Sequence, residues 1–378
     1  MKIGKLPYWA QLPAYWAIRG AMSAPLLAGP APSLHTARRL GRAYGGAKFN
    51  RERLKRASDH LGIAFPEWSV DRREAVALAG YEHLAMLAVE VAFTGRLLTP
   101  SNWRRHVEFG DISPALRALC SGRPMILISG HCGNWEVLGY TLALLGFPMH
   151  ALYRPLDLEP LDRWMRETRS RRGLRLIDKF GAVHLMPAIM RSGEPIGFIA
   201  DQNGGDRGIS VPFFGRLANT YKSIALLAMQ FEAVVICGQA RRIGWHEPGV
   251  QGPGDALDHA SRARIHDESE GFRFVVELDD IFGPEDYLAQ PDPIYYLSAR
   301  YRRSIERMIR RAPSDYLWMH RSWRSRPAHE RLNKPFPDKL RNKLRSLPWM
   351  TDDQLENLVD RSDRDRALLA ELGTTRLP

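Results

Sequence analysis

Apolar and polar positions along the middle of the chain predict strands and helices in alternation. Short apolar runs predict strands at PMILISG (124–130), PMHALYR (148–154), LRLID (174–178) and EPIGFIAD (194–201). Two further strands are predicted at AVVICGQARRI (233–243) and FRFVVEL (272–278). Helical periodicity predicts helices over 137–146, 158–173, 183–193 and 219–232. This alternation is typical of an α/β fold in which helices cover both faces of a mostly parallel central sheet.

The N-terminal segment 6–28 is apolar and aromatic but is interrupted by three prolines and an arginine. A spanning helix needs about 20 mostly apolar residues, so the pattern does not predict a clean transmembrane helix. The Tyr8-Trp9 pair recurs as Tyr15-Trp16, and both aromatic residue types favour the headgroup level of a bilayer. The segment therefore predicts an interfacial membrane anchor. The alternative is an ordinary aromatic helix packed on the domain.

Residues 38–56 form a basic run with eight cations and one acid, Glu52. The formal net charge of the whole chain is +12, which favours an anionic partner. Next to an aromatic segment, such a run predicts contact with an anionic membrane surface, and a solvated basic helix face is the alternative. Nucleic acid is not expected, because no helix-turn-helix or RNA-binding signature accompanies the charge. The three cysteines lack metal spacing and indicate reduced thiols.

The second half of the chain departs from the alternating pattern. Residues 245–271 are rich in Gly, Pro, His and Asp and predict a long surface loop. An apolar stripe predicts a helix over 294–308, and the residues after about 335 predict a polar helical tail. The predicted organisation is a membrane-associating segment (1–48), one catalytic domain (49–335) and a C-terminal helical tail (336–378).

Chemically active side chains follow three of the predicted strands. The strand PMILISG leads to His131, PMHALYR ends in Arg154 and EPIGFIAD ends in Asp201. Ligands bind outside the carboxyl ends of the strands in open parallel sheets. We therefore expect a base, a cation and a carboxylate to converge on one edge of the sheet.

The stretch LISGHCGNWE (127–136) places a histidine five positions before a carboxylate. In one continuous helix the two would not share a face, so they can meet only if His131 precedes the helix. Gly130 and Gly133 make this possible, because glycine permits the tight turn that is needed. Asn134 is then predicted to cap the helix, with Glu136 in its first turn. Glu136 would orient the imidazole for acid–base catalysis. The alternative is a capped helix start beside a histidine without a catalytic role.

The same stretch resembles the His-x-x-x-x-Asp/Glu motif of glycerolipid-type acyltransferases. It is most similar to the Gly-Asn-Trp-Glu form found in the late acyltransferases of lipid A biosynthesis, the lauroyl/myristoyl transferase family. Four further stretches of this chain resemble other blocks of that family, in the family's order: NRERLKRASDHLGIAFPEWSVDRREAVA, LYRPLD, ADQNGGDRGISVPFFGRLANT and YLWMHRSWRSRP. The resemblance covers roughly residues 50–330.

This resemblance implies a glycerolipid-acyltransferase-like fold and a membrane-associated O-acyltransferase. It implies transfer of an acyl chain from a thioester, such as acyl carrier protein, to a hydroxyl of a lipid A precursor or related glycolipid. The site would lie at the cytoplasmic face of the inner membrane. His131 would be the general base, Glu136 would orient it and Asp201 would help to hold it. No cofactor and no metal are implied.

The substrate contacts follow from the same resemblance. Arg154 would bind the thioester oxygen or an acceptor phosphate. Backbone N–H groups around Gly133 and Asn134, at a helix start, would help to stabilise the oxyanion. In VPFFG (211–215), Phe213 and Phe214 would border the acyl tunnel, lie in the core, or both.

Other functions remain open at this point. The acceptor can be a different phospho- or glycolipid, because "YKS" follows Thr220 where the family tends to have small residues. A metal-assisted hydrolase would use His131, Glu136 and Asp201 as ligands. A non-catalytic lipid-binding protein would have kept only the fold.

Overall fold

A seven-stranded sheet lies at the centre of the computed structural model, which describes residues 7–171, 173–178, 181–245 and 271–377. Its strands are β1 (Val107–Phe109), β2 (Met125–Ser129), β3 (His150–Tyr153), β4 (Arg175–Asp178), β5 (Ile196–Ile199), β8 (Val234–Arg242) and β9 (Phe274–Phe282), in the order β1-β9-β8-β2-β5-β3-β4. Strands β8, β2, β5, β3 and β4 are mutually parallel. Strand β9 is antiparallel to β8, and β1 runs parallel to β9. The predicted mostly parallel α/β sheet is confirmed.

Helices connect and cover these strands. They are α1 (Tyr8–Ala28), α2 (Pro30–Gly46), α3 (Arg51–Ala64), α4 (Val70–Leu97), α5 (Ser113–Leu119), α6 (Trp135–Leu144), α7 (Glu159–Ser170), α8 (Ala182–Arg191), α9 (Lys222–Phe231), α10 (Pro284–Tyr287), α11 (Pro293–Arg311), α12 (Ala328–Arg331), α13 (Asp338–Arg345) and α14 (Asp352–Glu371). The predicted helices of the alternating region are present, displaced at their ends by up to three residues. Nearly all of the loop predicted over 245–271 lies outside the described residues.

The helix predicted over 219–232 is wrong in its first residues. Thr220 ends β7 (Arg216–Thr220), which pairs antiparallel with β6 (Ile209–Phe213). The turn residues Phe214 and Gly215 both have positive φ, at 51° and 64°. This geometry suits the twist of a tight hairpin, so the chain pairs there before it becomes helical at Lys222.

Helix α4 is the one described helix that is long and apolar enough to cross a membrane, with a mean hydropathy of 1.4. More than half of that stretch, 56%, is buried inside the molecule. The helix also buries Glu82, His83 and Glu90, and Glu82 pairs with Arg38 and Arg42 of α2. Because these polar groups face protein partners, α4 packs as a core helix in the described fold.

The segment after residue 335 is helical, and it packs on the main core. Leu344, Leu355 and Leu358 from α13 and α14 join the largest apolar cluster. Asp365 of α14 forms two hydrogen bonds of 2.7 Å with Arg216 of β7 and a third of 2.9 Å with Arg326. These contacts make the C-terminal helices part of the wall that supports the β6–β7 hairpin.

Candidate active site

The carboxyl ends of β2 and β5 bring His131 and Asp201 together. The two strands pair directly, with Ser129 opposite Ile199, and each side chain follows its strand by two residues. Nδ1 of His131 lies 2.7 Å from Oδ1 of Asp201, and the backbone N–H of His131 donates to the same oxygen over 3.1 Å. Parallel neighbours end at one edge of a sheet, so strand pairing alone accounts for this contact.

Burial and charge set the protonation of this pair. Burial disfavours the charged imidazole of His131, but the charge of Asp201 and the hydrogen bond to it outweigh burial and raise the pKa of His131. Burial also opposes the carboxylate of Asp201, yet the charge and hydrogen bond of His131 hold its pKa well below the usual range. Asp201 is fully buried and stays ionised. The pair is thus a base whose protonated form has a fixed counter-charge.

The loop that carries His131 is fixed by backbone contacts on both sides. Gly133 has a φ of +60°, and a Cβ there would lie 2.3 Å from the carbonyl oxygen of Ala240, so only glycine fits. The N–H of Gly133 donates to the carbonyl of Asp315 (2.9 Å), and that of Asn134 to the carbonyl of Ala240 (2.6 Å). The predicted oxyanion role of these two N–H groups is therefore wrong, because both already have protein acceptors.

Asn134 caps α6 as predicted and also joins a buried ionic network. Its Oδ1 accepts from the N–H of Val137 (2.9 Å), and its Nδ2 donates to Glu90 Oε2 (2.7 Å). Arg242 donates to both oxygens of Glu90 over 2.5 and 2.9 Å. Both members of this ion pair are almost completely buried. The start of α6 is thus held by a charge pair that reaches from α4 to β8.

Glu136 forms no hydrogen bond or ion pair with His131, although both residues line the same cavity. It lies in the first turn of α6 and forms a two-point ion pair with Arg169 of α7, with Nε of Arg169 3.0 Å from Oε2. The expectation that Glu136 orients His131 through a direct hydrogen bond is therefore wrong. The physical reason is that Asp201 takes Nδ1 from the adjacent strand, while the helix turns Glu136 toward α7.

A cavity of about 770 Å³ opens beside His131 between one face of the sheet and helices α5, α6 and α7. Its interior is mainly aliphatic, and its polar wall contains His131, Glu136, Arg154, Asp162, Arg166 and Arg169. Arg154 is exposed and lines the cavity, as its position at the end of β3 predicted. A volume of this size suits a small-molecule or lipid-chain ligand.

Phe213 and Phe214 do not line this cavity. Both are buried in the largest apolar cluster, where the guanidinium of Arg302 lies 3.8 Å from the ring centre of Phe213. Their predicted contact with an acyl chain is wrong for this cavity, and the core interpretation is the one that the packing supports. The hairpin packs Phe213 against Trp323 and Phe214 against Trp318, with 5.6 and 5.7 Å between the ring centroids.

His320 is a site residue that the sequence patterns did not single out. Its ring lies edge-on to His131, with 4.9 Å between ring centroids, and its Nδ1 is buried with no hydrogen-bond partner among the described residues. An antiparallel bridge between Cys132 and Tyr316 brings its segment beside the His131 loop. His320 lies in the block YLWMHRSWRSRP, which resembles a block of the family. The motif alone does not show that this histidine lies beside His131, because that depends on the bridge.

The structure brings together a different set of potential metal ligands from the one expected for a metal-assisted hydrolase. Ligand atoms of His131, Asp201 and His320 lie within 4.8 Å of one another. Glu136, the third ligand expected for a metal-assisted hydrolase, is paired with Arg169. A divalent metal would therefore need His320 in its place.

Cys132 is unsuited to act as a nucleophile. Its side chain is buried, and burial followed by the charge of Asp201 raises the pKa of the thiol far above its usual value. The thiolate is the reactive form of cysteine, so a thiol held protonated does not attack a thioester.

The sequence of the chain matches a defined family of known proteins. The sequence profile of bacterial lipid A biosynthesis acyltransferases matches residues 8–250. The lipid A biosynthesis palmitoleoyltransferase of Escherichia coli (strain K12) is 24% identical over 285 residues, covering 75% of this chain and 82% of that protein. The lipid A biosynthesis acyltransferase of Shigella flexneri gives the same figures. The lipid A biosynthesis lauroyltransferase of Escherichia coli (strain K12) is 22% identical over 294 residues, 76% and 85% of the two chains.

Proposed function

Because the chain belongs to the bacterial lipid A biosynthesis acyltransferase family, it is an acyltransferase, and we propose that His131 is its general base. The reaction is transfer of a fatty acyl chain from an acyl thioester, with acyl carrier protein as the preferred donor, to a hydroxyl of a lipid A precursor. The observation that carries this proposal is the His131–Asp201 pair at the polar end of a large apolar cavity.

The proton path follows from the hydrogen bond that His131 makes. The N–H group at Nδ1 donates a hydrogen bond to the carboxylate of Asp201, and the lone pair of Nε2 is then free to accept the proton of the acceptor hydroxyl. As the hydroxyl oxygen attacks the thioester carbonyl, Nε2 takes the hydroxyl proton and Asp201 stabilises the imidazolium. The tetrahedral intermediate then collapses, the carbon–sulfur bond breaks, and the imidazolium returns the proton to the leaving sulfur. The products are an ester and a thiol, and no acyl-enzyme is required.

The cations beside the cavity suit an anionic part of the substrates. Arg169 is neutralised by Glu136 and Arg166 by Asp162, whereas Arg154 forms no ion pair among the described residues. A guanidinium can bind a phosphate through two hydrogen bonds. Arg154 is accordingly proposed to bind an acceptor phosphate, and the aliphatic cavity is proposed to hold the acyl chain.

The N-terminal helices are proposed to attach the enzyme to the cytoplasmic face of the inner membrane. Trp9 and Trp16 of α1 are 73% and 63% exposed, and Leu40 and Phe49 are exposed near the basic run. Arg38 and Arg42 are paired with Glu82, so fewer of the eight cations are available than the sequence suggests. The basic residues proposed to contact anionic lipid are exposed: Arg39, Lys48, Arg51 and Arg53.

Expression in a bacterial host that lacks its own late acyltransferases tests the proposal. Mass spectra of extracted lipid A are expected to show one added acyl chain with the wild-type protein and none with His131→Ala. An added chain on another phospho- or glycolipid, with lipid A unchanged, would replace the proposed acceptor. An unchanged lipid profile with folded protein in the membrane fraction would overturn the reaction itself.

The cluster of His131, Asp201 and His320 leaves a metal-assisted hydrolase as the second candidate. Metal content and the effect of a chelator separate the two functions. The acyltransferase proposed here keeps its rate in the presence of a chelator, because His131 acts as a base. A stoichiometric transition metal in the purified protein, with activity lost on its removal, would favour the hydrolase.

A further inference from the structure

The floor of the cavity contains a row of residues that runs directly across five strands. Backbone pairing places Leu176 opposite Ala151, Ala151 opposite Gly197, Gly197 opposite Leu127, and Leu127 opposite Ile236. All five residues line the cavity. The row therefore forms one continuous strip of the cavity wall, two residues below the level of Ser129 and Ile199.

The smallest side chains of this row lie in its middle. Strands of parallel sheets are buried on both faces and usually carry branched aliphatic residues, so adjacent glycine and alanine are unusual there. Glycine inside a strand weakens it and often marks a position that something approaches closely. Gly197 and Ala151 thus leave a trough between Leu176 and Leu127, below the polar edge that carries His131.

Met149 closes the trough on the side away from His131. It precedes β3, at the amino ends of the parallel strands, whereas His131 follows the carboxyl end of β2. Its methyl group would lie 3.4 Å from a Cβ added at Gly197. Met149 is 4% exposed and lines the cavity. An unbranched chain that descends from His131 along β5 would end against this thioether.

We infer that Gly197, Ala151 and Met149 determine the length of acyl chain that the enzyme transfers. This inference rests on the proposed function, because it takes the cavity occupant to be the acyl chain of the donor. The trough at Gly197 and Ala151 gives the acyl chain room to extend into the cavity, and Met149 limits how far it can extend. One methylene of misfit in a hydrophobic pocket changes discrimination by roughly 10- to 200-fold, so small changes here are measurable.

Substitutions at the two ends of the trough are expected to change chain-length preference in opposite directions. Gly197→Ala and Gly197→Val fill the trough in two steps, and a Cβ at Gly197 makes contacts of 3.4 and 3.6 Å that the structure tolerates. Both should shift the preferred donor to shorter chains, and Val more than Ala. Ala151→Val should act like Gly197→Val. Met149→Ala should shift the preference to longer chains.

The measurement is kcat/KM of the full-length enzyme for a homologous series of saturated acyl thioesters. Met190→Ala is the matched control, because Met190 is buried in the main core but does not line the cavity, and its profile should keep the wild-type maximum. Opposite shifts for Gly197→Val and Met149→Ala support the inference. Active variants with the wild-type chain-length maximum overturn it. Absence of transfer by the wild-type enzyme overturns the proposed function instead.

Discussion

At the scale of single residues, the contact between His131 and Asp201 carries the proposed chemistry. The carboxylate that meets the base comes from the neighbouring strand, not from the five-residue spacing to Glu136. A buried anion both fixes the imidazole and favours its protonated form. The two carboxylates near His131 are therefore expected to differ when each is replaced by its amide.

Asp201→Asn is expected to lower kcat and to move the acidic limb of the pH–rate profile to lower pH. The rate rises with pH as His131 loses its proton, and Asp201 raises the pKa of His131, so the wild-type limb lies above the ordinary histidine value of about 6.5. In Asp201→Asn the charge that raises the pKa of His131 is gone, and burial of the imidazole then lowers that pKa. Loss of the orienting carboxylate should reduce kcat by about 10²- to 10⁴-fold. A limb that stays in place would show that Asp201 does not face the base.

Glu136→Gln is expected to leave that limb unchanged. Glu136 pairs with Arg169, so its loss frees a guanidinium at the polar end of the cavity. The expected effect is mainly on KM, because the base keeps its counter-charge while substrate contacts change. Steady-state kinetics of both amide variants with one donor make the comparison. A shift of the limb equal to that of Asp201→Asn would restore Glu136 as the orienting carboxylate.

At the scale of secondary-structure elements, helix α4 supports the start of α6 through a buried charge. Glu90 binds Arg242 of β8 and the side chain of Asn134, three residues after His131. Burying an ion pair is costly and contributes little net stability, so its retention beneath the site suggests that it positions the loop.

Glu90→Gln is expected to lower kcat by about tenfold, because the amide NH₂ group cannot accept the hydrogen bond from Nε of Arg242 and the buried guanidinium loses its counter-charge. The loop that carries His131 is then held less firmly, and small displacements of a base are costly. Asp365→Asn is the matched control: it removes another buried, two-point arginine partner, remote from His131. Both variants should lose thermal stability, but only Glu90→Gln should lose kcat beyond what its folded fraction explains. Equal losses of kcat in both variants would make the Glu90 network purely structural.

At the scale of the whole molecule, the proposed acceptor is a membrane lipid, so the edge of the cavity should face the membrane to which the N-terminal helices are proposed to attach. Replacing Trp9 and Trp16 by alanine should reduce recovery with vesicles of anionic lipid, because both indoles are exposed. Reversing the charge of Arg39 and Arg51 should reduce it further and make it less sensitive to salt. Leu332→Ala, an exposed apolar control on the C-terminal side, should bind like wild type. Unchanged sedimentation of the tryptophan variant would place the anchor elsewhere.

Truncation is a poorer test of the anchor than these substitutions. Leu34 is fully buried against α4, so deleting the first 34 residues would expose part of the core. Loss of membrane recovery in such a variant would then mix detachment with unfolding.

The sequence predicted what depends on local pattern and missed what depends on strand order. Apolar runs with polar ends located β2, β3 and β5, and hence His131, Arg154 and Asp201. The pairing of β2 with β5, on which the contact between Asp201 and His131 depends, has no local signal. The expectation that Asp201 helps to hold His131 therefore came from the family resemblance. His320 lies beside His131 because its segment is joined to the His131 loop by a bridge between Cys132 and Tyr316, which are 184 residues apart in sequence. The position of His320 beside the base could not be inferred from one motif. The N–H groups of Gly133 and Asn134 were assigned to substrate because their carbonyl acceptors lie in distant segments.

The proposal that His131 is the general base is tested by the steady-state kinetics of His131→Ala with a defined acyl thioester and a purified lipid A precursor. His131→Ala leaves the buried carboxylate of Asp201 without its counter-charge, so the melting temperature should fall, and turnover is therefore compared per folded enzyme. Loss of the base predicts a fall in kcat of about 10²- to 10⁴-fold, with KM for the donor little changed. A folded His131→Ala enzyme that retains wild-type turnover would show that His131 is not the general base.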